Sequence, residues 1–252
     1  MSTTQAARAA LGARQEDKER LLRRSVIFRD IAPDLLRRVA EVSQIRPLRK
    51  GAVLFHQGDE GDALFGVMEG VVRIYISGRG GRQLILAFME PGDIFGEIAL
   101  LDGLPRTASA DAAEDSRLLV IERTQFRALL EQEPRLSLHI IELLCERLRS
   151  NTDRLGEYAF LDLRSRLAKK LHELAVAYGE QQEDGVRIAL HLSQTDLAQT
   201  LGVTRESINK QIKAWTREKV LLHKSGHVVV TDMERLKAHF AFADEDTPDG
   251  ER

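Results

Sequence analysis

At 252 residues the chain has room for two compact domains, and 43% hydrophobic with 30% charged residues is the make-up of an ordinary soluble globular protein. No apolar run approaches a bilayer span, and the N-terminus lacks the apolar core of a secretion signal. The single cysteine, Cys145, excludes an internal disulfide framework and a cysteine-held iron–sulfur cluster, so a cytoplasmic address is expected. The net charge of −2 excludes a broadly basic nucleic-acid binder; any DNA contact has to come from a local patch.

Residues 1–24 read as a polar Ala/Arg/Glu-rich extension, helical over Glu16 to Arg24, with no role that the sequence argues. Ile27 to Val42 reads as a short helical pair, with Pro33 at a first helical position and Leu35, Leu36, Val39 and Ala40 at helical spacing. From Ile45 to Glu122 the texture changes to short apolar runs between glycine turns. Val53–Phe55, Ala63–Met68, Val71–Ile76, Leu84–Phe88 and Leu118–Ile121 are the strand candidates, punctuated by Gly58, Gly70, Gly78, Gly80, Gly81 and Gly92. Many short strands at this spacing predict a closed or rolled antiparallel structure. His56 sits beside a turn and is read as structural.

Within that region Pro91 to Ser109 carries chemistry. The four apolar residues Ile98 to Leu101 stand between two glycine turns, which predicts one helical turn opening just after Gly96. Its free N–H groups suit an anion. Arg106 adds a guanidinium fork, and the Thr107 hydroxyl with nearby amides completes a phosphate cradle. Glu97 is out of place in a pure anion site, but it makes sense as the acceptor of hydrogen bonds from a sugar hydroxyl. Phosphate plus sugar is a nucleotide.

Thr124 to Leu130 reads as a short helix, and Glu133-Pro134 starts a long one that runs to about Leu161. Leu136, Ile140, Ile141, Leu143, Leu144, Leu148 and Leu155 map to one stripe, the expected seam of a parallel dimer. Arg147 and Asn151 lie inside the stripe and Thr152 at its edge; they either fix register in the seam or reach a bound ligand. Leu163 to Tyr178 is a further amphipathic helix, followed by a polar loop from Gly179 to Gly185.

Leu192 to Val220 carries a second motif. Ser193 with Asp196 three residues on opens a helix, Gly202 makes a turn, and Thr204 caps a second helix from Arg205 to about Glu218. Ile208, Ile212 and Trp215 fall on one side of it; Arg205, Glu206, Asn209, Lys210, Lys213 and Arg217 fall on the other. Such a mixed face is equipped to read base edges in a major groove. His191 to Ser225 holds six Lys/Arg against three carboxylates, the local basic patch that the whole-chain charge hides. Leu221–His223 and His227–Thr231 flank Lys224-Ser225-Gly226 as a hairpin wing. Ala243 onward is acidic with Pro and Gly, and reads as a tail.

The stretch Phe95-Gly96-Glu97, Ala99-Leu100-Leu101, Pro105-Arg106-Thr107-Ala108 resembles the phosphate-binding cassette of cyclic-nucleotide-binding domains. With the long helix and the winged helix-turn-helix, Ser25 to Val230 resembles the cyclic-AMP receptor protein/FNR (Crp/Fnr) family. The fold class so implied is α+β: a cyclic-nucleotide-binding antiparallel β-roll, jelly-roll-like, over 25–133; a dimerisation helix over 134–161; a winged helix-turn-helix DNA-binding domain over 162–242; and an acidic tail over 243–252. Ala159-Phe160-Leu161-Asp162 resembles the family's hinge. Carried over residue by residue, the nucleotide site is Gly96, Glu97, Ile98, Ala99, Arg106 and Thr107, joined from the long helix by Arg147, Asn151 and Thr152. The DNA-binding set is Ser193, Gln194, Thr204, Arg205, Glu206, Ser207, Asn209, Lys210 and Lys213. The family prototype has arginine where this chain has Lys210, and Thr then Ser where it has Asn151 and Thr152.

The resemblance implies a homodimer that binds palindromic double-stranded DNA when cyclic AMP or cyclic GMP is bound, with RNA polymerase as a further partner, no metal and no membrane. An Asn amide meets either an adenine or a guanine edge, so both nucleotides are expected to bind. Two other readings are weighed against this one. A sensor of haem, oxygen or a metabolite on the same architecture would lack the Gly-Glu and Arg-Thr pairs, which this chain has. An enzyme would need a nucleophile–base pair or a metal-ligand cluster, and the sequence offers neither.

Overall fold

The computed structural model describes residues 15–25, 27–28, 30–189, 193–224 and 227–240. They form two compact units, Met1–Leu148 and Arg149–Arg252.

The first unit is a roll of two antiparallel four-stranded sheets. One has the order β1 (Gln44–Leu48), β8 (Ser116–Glu122), β3 (Ala63–Glu69), β6 (Ile94–Phe95); the other has β2 (Val53–Phe55), β7 (Ser109–Ala112), β4 (Val72–Ser77), β5 (Gln83–Met89). Side chains alternate across a strand, and β3 shows the consequence. Phe65 and Val67 face the space between the sheets with Val72, Phe95, Ala110, Ala112 and Leu118. Leu64 faces the other way, joining Ile94, Leu119 and Ile121 in a second core covered by helices. Those helices are α1 (residues 15–24), α2 (Pro33–Val42), α4 (Arg123–Gln132) and the start of α5 (Pro134–Phe160). The five strands read from sequence are present. β1, β6 and β7 were missed because they lack an apolar alternation: QIRPL carries a proline that only an edge strand tolerates, SADA has small side chains, and β6 is two residues long.

Two other expectations change here. Among the described residues of Ile27 to Val42 there is one helix, not a pair. Ile27, Phe28, Asp30 and Ile31 lie in turns and a bend, with Phe28 N–H to Ser25 O at 3.3 Å and Ile31 N–H to Phe28 O at 3.3 Å, and the apolar spacing reflects burial of Ile27 and Phe28. Helix α1 in turn packs Leu21 and Leu22 into the core, and Lys18 Nζ donates to Ala40 O (2.9 Å) and Ser43 O (2.6 Å) at the end of α2. Residues 15–24 therefore complete the first unit's core. Residues 1–14 of the extension lie outside the described residues.

On α5 the single stripe divides in two. Leu136 and Ile140 are buried in the roll's core, with Leu143 and Leu144 partly buried against it. Leu138, Ile141, Leu148 and Leu155 are exposed by 59, 55, 67 and 74%. With Cys145 and Thr152 these positions step by three and four, the heptad spacing of a coiled-coil seam.

In the second unit α6 (Leu163–Tyr178), α7 (Gln194–Leu201), α8 (Arg205–Arg217) and α9 (Met233–Lys237) enclose a core that includes Leu167, Leu171, Ile208, Trp215, Val230 and Leu236. Asp162 caps α6 by accepting from Ser165 N–H at 2.8 Å. The predicted polar loop Gly179 to Gly185 is a hairpin, β9 (Gly179–Gln182) and β10 (Gly185–Ile188). It joins β11 (Leu221–Lys224) and β12 (His227–Val230) in the order β11-β12-β10-β9. GEQQ carries no strand signal of its own; pairing of β10 with β12 supplies the order that propensity does not. Gly185 has φ 130°, and a Cβ there would stand 2.2 Å from Val230 O. Ser225 and Gly226 of the wing turn, Leu192 at the motif's start, and the tail lie outside the described residues.

Candidate functional site

The predicted helical turn is α3 (Glu97–Asp102), entered through Gly96 at φ 84° and left through Gly103 at φ 77°. Both glycines hold left-handed backbone, and Gly96 is closed to a side chain as well: a Cβ would stand 2.7 Å from Arg106 Nη1 and 3.2 Å from Phe65. The far end of the cassette is tied to the turn at His56. Arg106 N–H donates to Asp59 O at 2.8 Å, Gly58 N–H donates to Arg106 O at 2.9 Å, and Asp59 Oδ2 accepts from His56 N–H at 2.7 Å.

These anchors bury Arg106, which is 4% exposed. Its Nη1 donates to Gly96 O at 2.9 Å and its Nη2 to Ala63 O at 2.8 Å. The guanidinium lies over Phe55 at 4.4 Å and Phe65 at 5.4 Å, and both rings pack with Phe95. Aromatic faces and carbonyls replace part of the hydration the cation has lost. Burial lowers the Arg106 pKa, and the negative charges of Asp62, Glu97 and Asp59 oppose that shift; an arginine stays protonated throughout. Its Nε finds no partner among the described residues. Gly61 leaves that side of the group open: a Cβ there would lie 3.3 Å from Nε and 2.2 Å from the Cβ of Ala99.

Glu97 is 1% exposed. Its Oε1 accepts from Arg147 Nη1 on α5, and Arg147 Nη2 donates to Ile94 O. Its Oε2 is buried with no partner among the described residues. The cassette therefore presents two orphaned polar atoms of opposite kind, a cationic donor and an anionic acceptor. Ribose and phosphate ask for that pair, so the residues fit a cyclic nucleotide. Ala99 is buried beneath, while Ile98 and Thr107 are exposed at the rim. Asn151 follows Arg147 by one turn of α5, and both it and Thr152 are exposed.

Sequence reasoning named Gly96, Glu97, Arg106 and Arg147 and missed Phe55, Gly61, Ala63 and Phe65. The missed residues come from β2, β3 and the turn between them, and no local pattern marks them as neighbours of Arg106.

The second site stands on its caps. Ser193 Oγ accepts from Asp196 N–H at 3.1 Å while Asp196 Oδ2 accepts from Ser193 N–H at 2.9 Å, a closed capping box that starts α7 at Gln194. Gly202 turns the chain at φ 65°, and Thr204 Oγ1 accepts from Ser207 N–H at 3.2 Å to start α8. Ile208, Ile212 and Trp215 are buried; Arg205, Glu206, Lys210, Lys213 and Arg217 are exposed, and Asn209 is half-buried beside them. A cavity of about 580 Å³ in the same unit gathers Arg154, Arg166, Lys169 and Glu157. Its charges are largely matched within it, with Lys169 on Glu157 at 2.8 Å and Arg166 over the Tyr158 ring at 4.8 Å. It is not assigned as a site.

Among the described residues no group of three or more His, Cys, Asp or Glu is placed to hold a metal ion, and no helix is long and apolar enough to cross a membrane.

Comparison with known proteins agrees with this layout. The cyclic nucleotide-binding domain matches residues 45–133 and the Crp-like helix-turn-helix domain matches residues 165–239. The CRP-like cAMP-activated global transcriptional regulator of Mycobacterium tuberculosis is 30% identical over 218 residues, 86% of this chain and 97% of that protein. The cyclic AMP receptor protein of Thermus thermophilus is 32% identical over 213 residues, 84% of this chain and 95% of the relative. Among solved structures, the c-di-GMP responsive regulator CLP of Xanthomonas campestris superposes with a TM-score of 0.72 at 23% identity, over 80% of this chain and all of that one, a likeness of fold. The cassette from Gly96 to Thr107 and the helix-turn-helix fall inside their matching domains, with Arg147 on the helix between them, and these two relatives are similar along nearly their whole length: the chain belongs to the Crp/Fnr family, DNA-binding transcriptional regulators that carry a cyclic-nucleotide-binding domain.

Proposed function

We propose that this protein is a homodimeric regulator whose effector is a cyclic nucleotide, and that the effector shifts the dimer toward the state that binds palindromic DNA and acts with RNA polymerase. The observation that carries the reading is the orphaned pair, Arg106 Nε and Glu97 Oε2, buried in one cassette. A cyclic phosphate takes the free N–H groups of Arg106, and a ribose hydroxyl donates to Glu97 Oε2. Because Glu97 Oε1 already holds Arg147, the sugar joins a network that reaches α5. Asn151 and Thr152 lie just beyond on that helix and meet the base. The relatives from M. tuberculosis and T. thermophilus are named for cyclic AMP. The amide of Asn151 accepts either purine, so cyclic AMP and cyclic GMP bind within roughly 1–3 kcal/mol of each other, the worth of a base-edge contact. Binding of both does not require response to both, since only differential affinity for the two states moves the equilibrium.

Titration calorimetry with the two nucleotides tests this. Arg106→Ala is expected to lower affinity for both by about 3 kcal/mol, over a hundredfold, with the fold intact by circular dichroism. Wild-type affinity in that variant would place the phosphate elsewhere, and no heat from either nucleotide would remove the effector assignment.

A further inference from the structure

One hydrogen bond in the core of the second unit holds α8 only while a histidine is neutral. Trp215, fully buried on the inner side of α8, donates from Nε1 to His239 Nε2 at 3.1 Å, and the two rings lie 5.4 Å apart. Accepting that bond makes the imidazole neutral, with its proton on Nδ1. His239 follows α9, whose Leu236 is buried in the same core and whose Arg235 Nη1 donates to Glu218 O at 3.1 Å, at the C-cap of α8. The Phe240 ring meets the edge of His172 on α6 at 5.4 Å. Residues 235–240 thus hold α8 from behind, while Glu206, Lys210 and Lys213 stay exposed on its outer face.

A second proton on the ring finds no acceptor there. It enters at Nε2, which faces the Trp215 N–H and lies 3.4 Å from Arg164 Nη2, and both of those groups only donate. Arg164 of α6 and Arg235 of α9 repel the imidazolium; Glu218 at the end of α8 and Asp162 at the start of α6 attract it. Both acids are engaged elsewhere: Glu218 Oε2 accepts from Arg164 Nη2 at 2.8 Å, and Asp162 Oδ1 accepts from Ser165 N–H at 2.8 Å. Burial, and after it the Arg164 charge, hold the ring's pKa below 6.5. Protonation in place leaves the buried indole N–H without its acceptor and sets two cations side by side, so the ring takes up its proton by moving out.

We propose that His239 is a proton-operated latch on α8: neutral, it pins residues 235–240 against Trp215 and fixes the helix for DNA; protonated, it swings away and lowers the unit's affinity for DNA. The inference rests on the reading of α8 as the DNA-contacting helix. Side chains that read base edges have to be held to within about 0.5 Å, and a helix released from behind loses that precision. Because the released ring titrates near 6.5 and the latched ring below it, DNA affinity is full above about pH 6.5 and falls as pH drops from there toward the lowered value.

Trp215 is the chain's single tryptophan, so its emission reports the latch directly. The test uses the full chain with cyclic AMP and cyclic GMP both present, and a duplex that the wild type selects from a random pool at pH 7.5. The comparison is His239→Gln, whose amide oxygen can accept from Trp215 at every pH. Between pH 7.5 and 5.0 the wild type's indole emission is expected to change in one step. Its affinity for the duplex should fall with the same midpoint, by about threefold or more relative to His239→Gln, which shows neither change. An emission step without a parallel loss of affinity overturns the proposal, and so does an equal loss in both proteins or a wild type whose emission does not titrate. The two wild-type midpoints decide by themselves should the variant fail to fold. If neither protein binds any duplex, it is the reading of α8 that fails, and the latch is judged by amide exchange at Trp215 and Leu236. Protection lost at pH 5.0 in the wild type alone supports it; equal protection in both proteins overturns it.

Discussion

Arg106 is a buried cation whose two bonded partners are carbonyls and whose flat faces rest on aromatic rings. Each device returns part of the hydration free energy lost on burial, and neither uses up all five N–H groups, so the cation stays available to an anion. Had a carboxylate been bonded to it instead, phosphate would have had to displace an ion pair. The second unit holds a residue with the opposite design. His239 accepts from Trp215 through Nε2 and lies 3.4 Å from Arg164 Nη2, and both neighbours favour the neutral ring. Burial, then the Arg164 charge, lowers its pKa below the ordinary value of 6.5; Glu218 and Asp162 oppose and Arg235 assists. A histidine held neutral in the fold takes up its proton more readily when unfolded, so stability is full above about pH 6.5 and falls as pH drops from there toward the lowered pKa. The DNA-binding unit is expected to melt at a lower temperature at pH 5.5 than at pH 7.5, and the difference should shrink in His239→Phe. An equal pH response in both proteins would place the titrating group elsewhere.

At the scale of the element, α5 does two jobs on two faces. Leu136 and Ile140 fasten it to the roll, and Arg147 ties it to Glu97, while Leu138, Ile141, Leu148 and Leu155 remain exposed at heptad spacing. Four large aliphatic side chains in register on one solvent face are costly unless covered, and in the proposed homodimer a second copy of the same helix would cover them. Leu148→Lys removes about 1.5–3 kcal/mol of burial from each protomer and adds like charges across the seam. Sedimentation equilibrium is expected to show a dimer that dissociates at least a hundredfold more readily, with unchanged secondary structure. A variant that associates like the wild type would place the interface on another surface.

Across the whole molecule, a net charge of −2 coexists with a helix whose exposed face is basic, so DNA affinity depends on where charge is placed. On α8 the exposed Glu206 near the start and the exposed Lys213 two turns later should separate reading from holding. Glu206→Ala is expected to relax base preference at one position per half-site. Lys213→Ala should weaken all duplexes alike, by about 1 kcal/mol, and lower the salt slope by about one. Selection of sites from random duplexes by each variant checks both. An unchanged preference in Glu206→Ala would assign base reading to another residue.

The sequence by itself determined the features whose turn and capping chemistry lies within a few residues at the two sites. Gly96 and Gly103 around four apolar residues define α3, because only glycine enters and leaves so short a helix through left-handed backbone. Ser193 with Asp196 and Thr204 with Ser207 define the helix-turn-helix through caps built within four residues. Only the tertiary structure decided what depends on distant chain segments meeting. GEQQ became a strand because β10 found β12, and the long helix split its stripe because one half met the roll's core. Phe55, Gly61 and Ala63 joined the site because closure of the roll brought them against Arg106, more than forty residues along the chain. A periodic pattern records that a face is buried; which surface buries it is set by contacts that no short window of sequence contains.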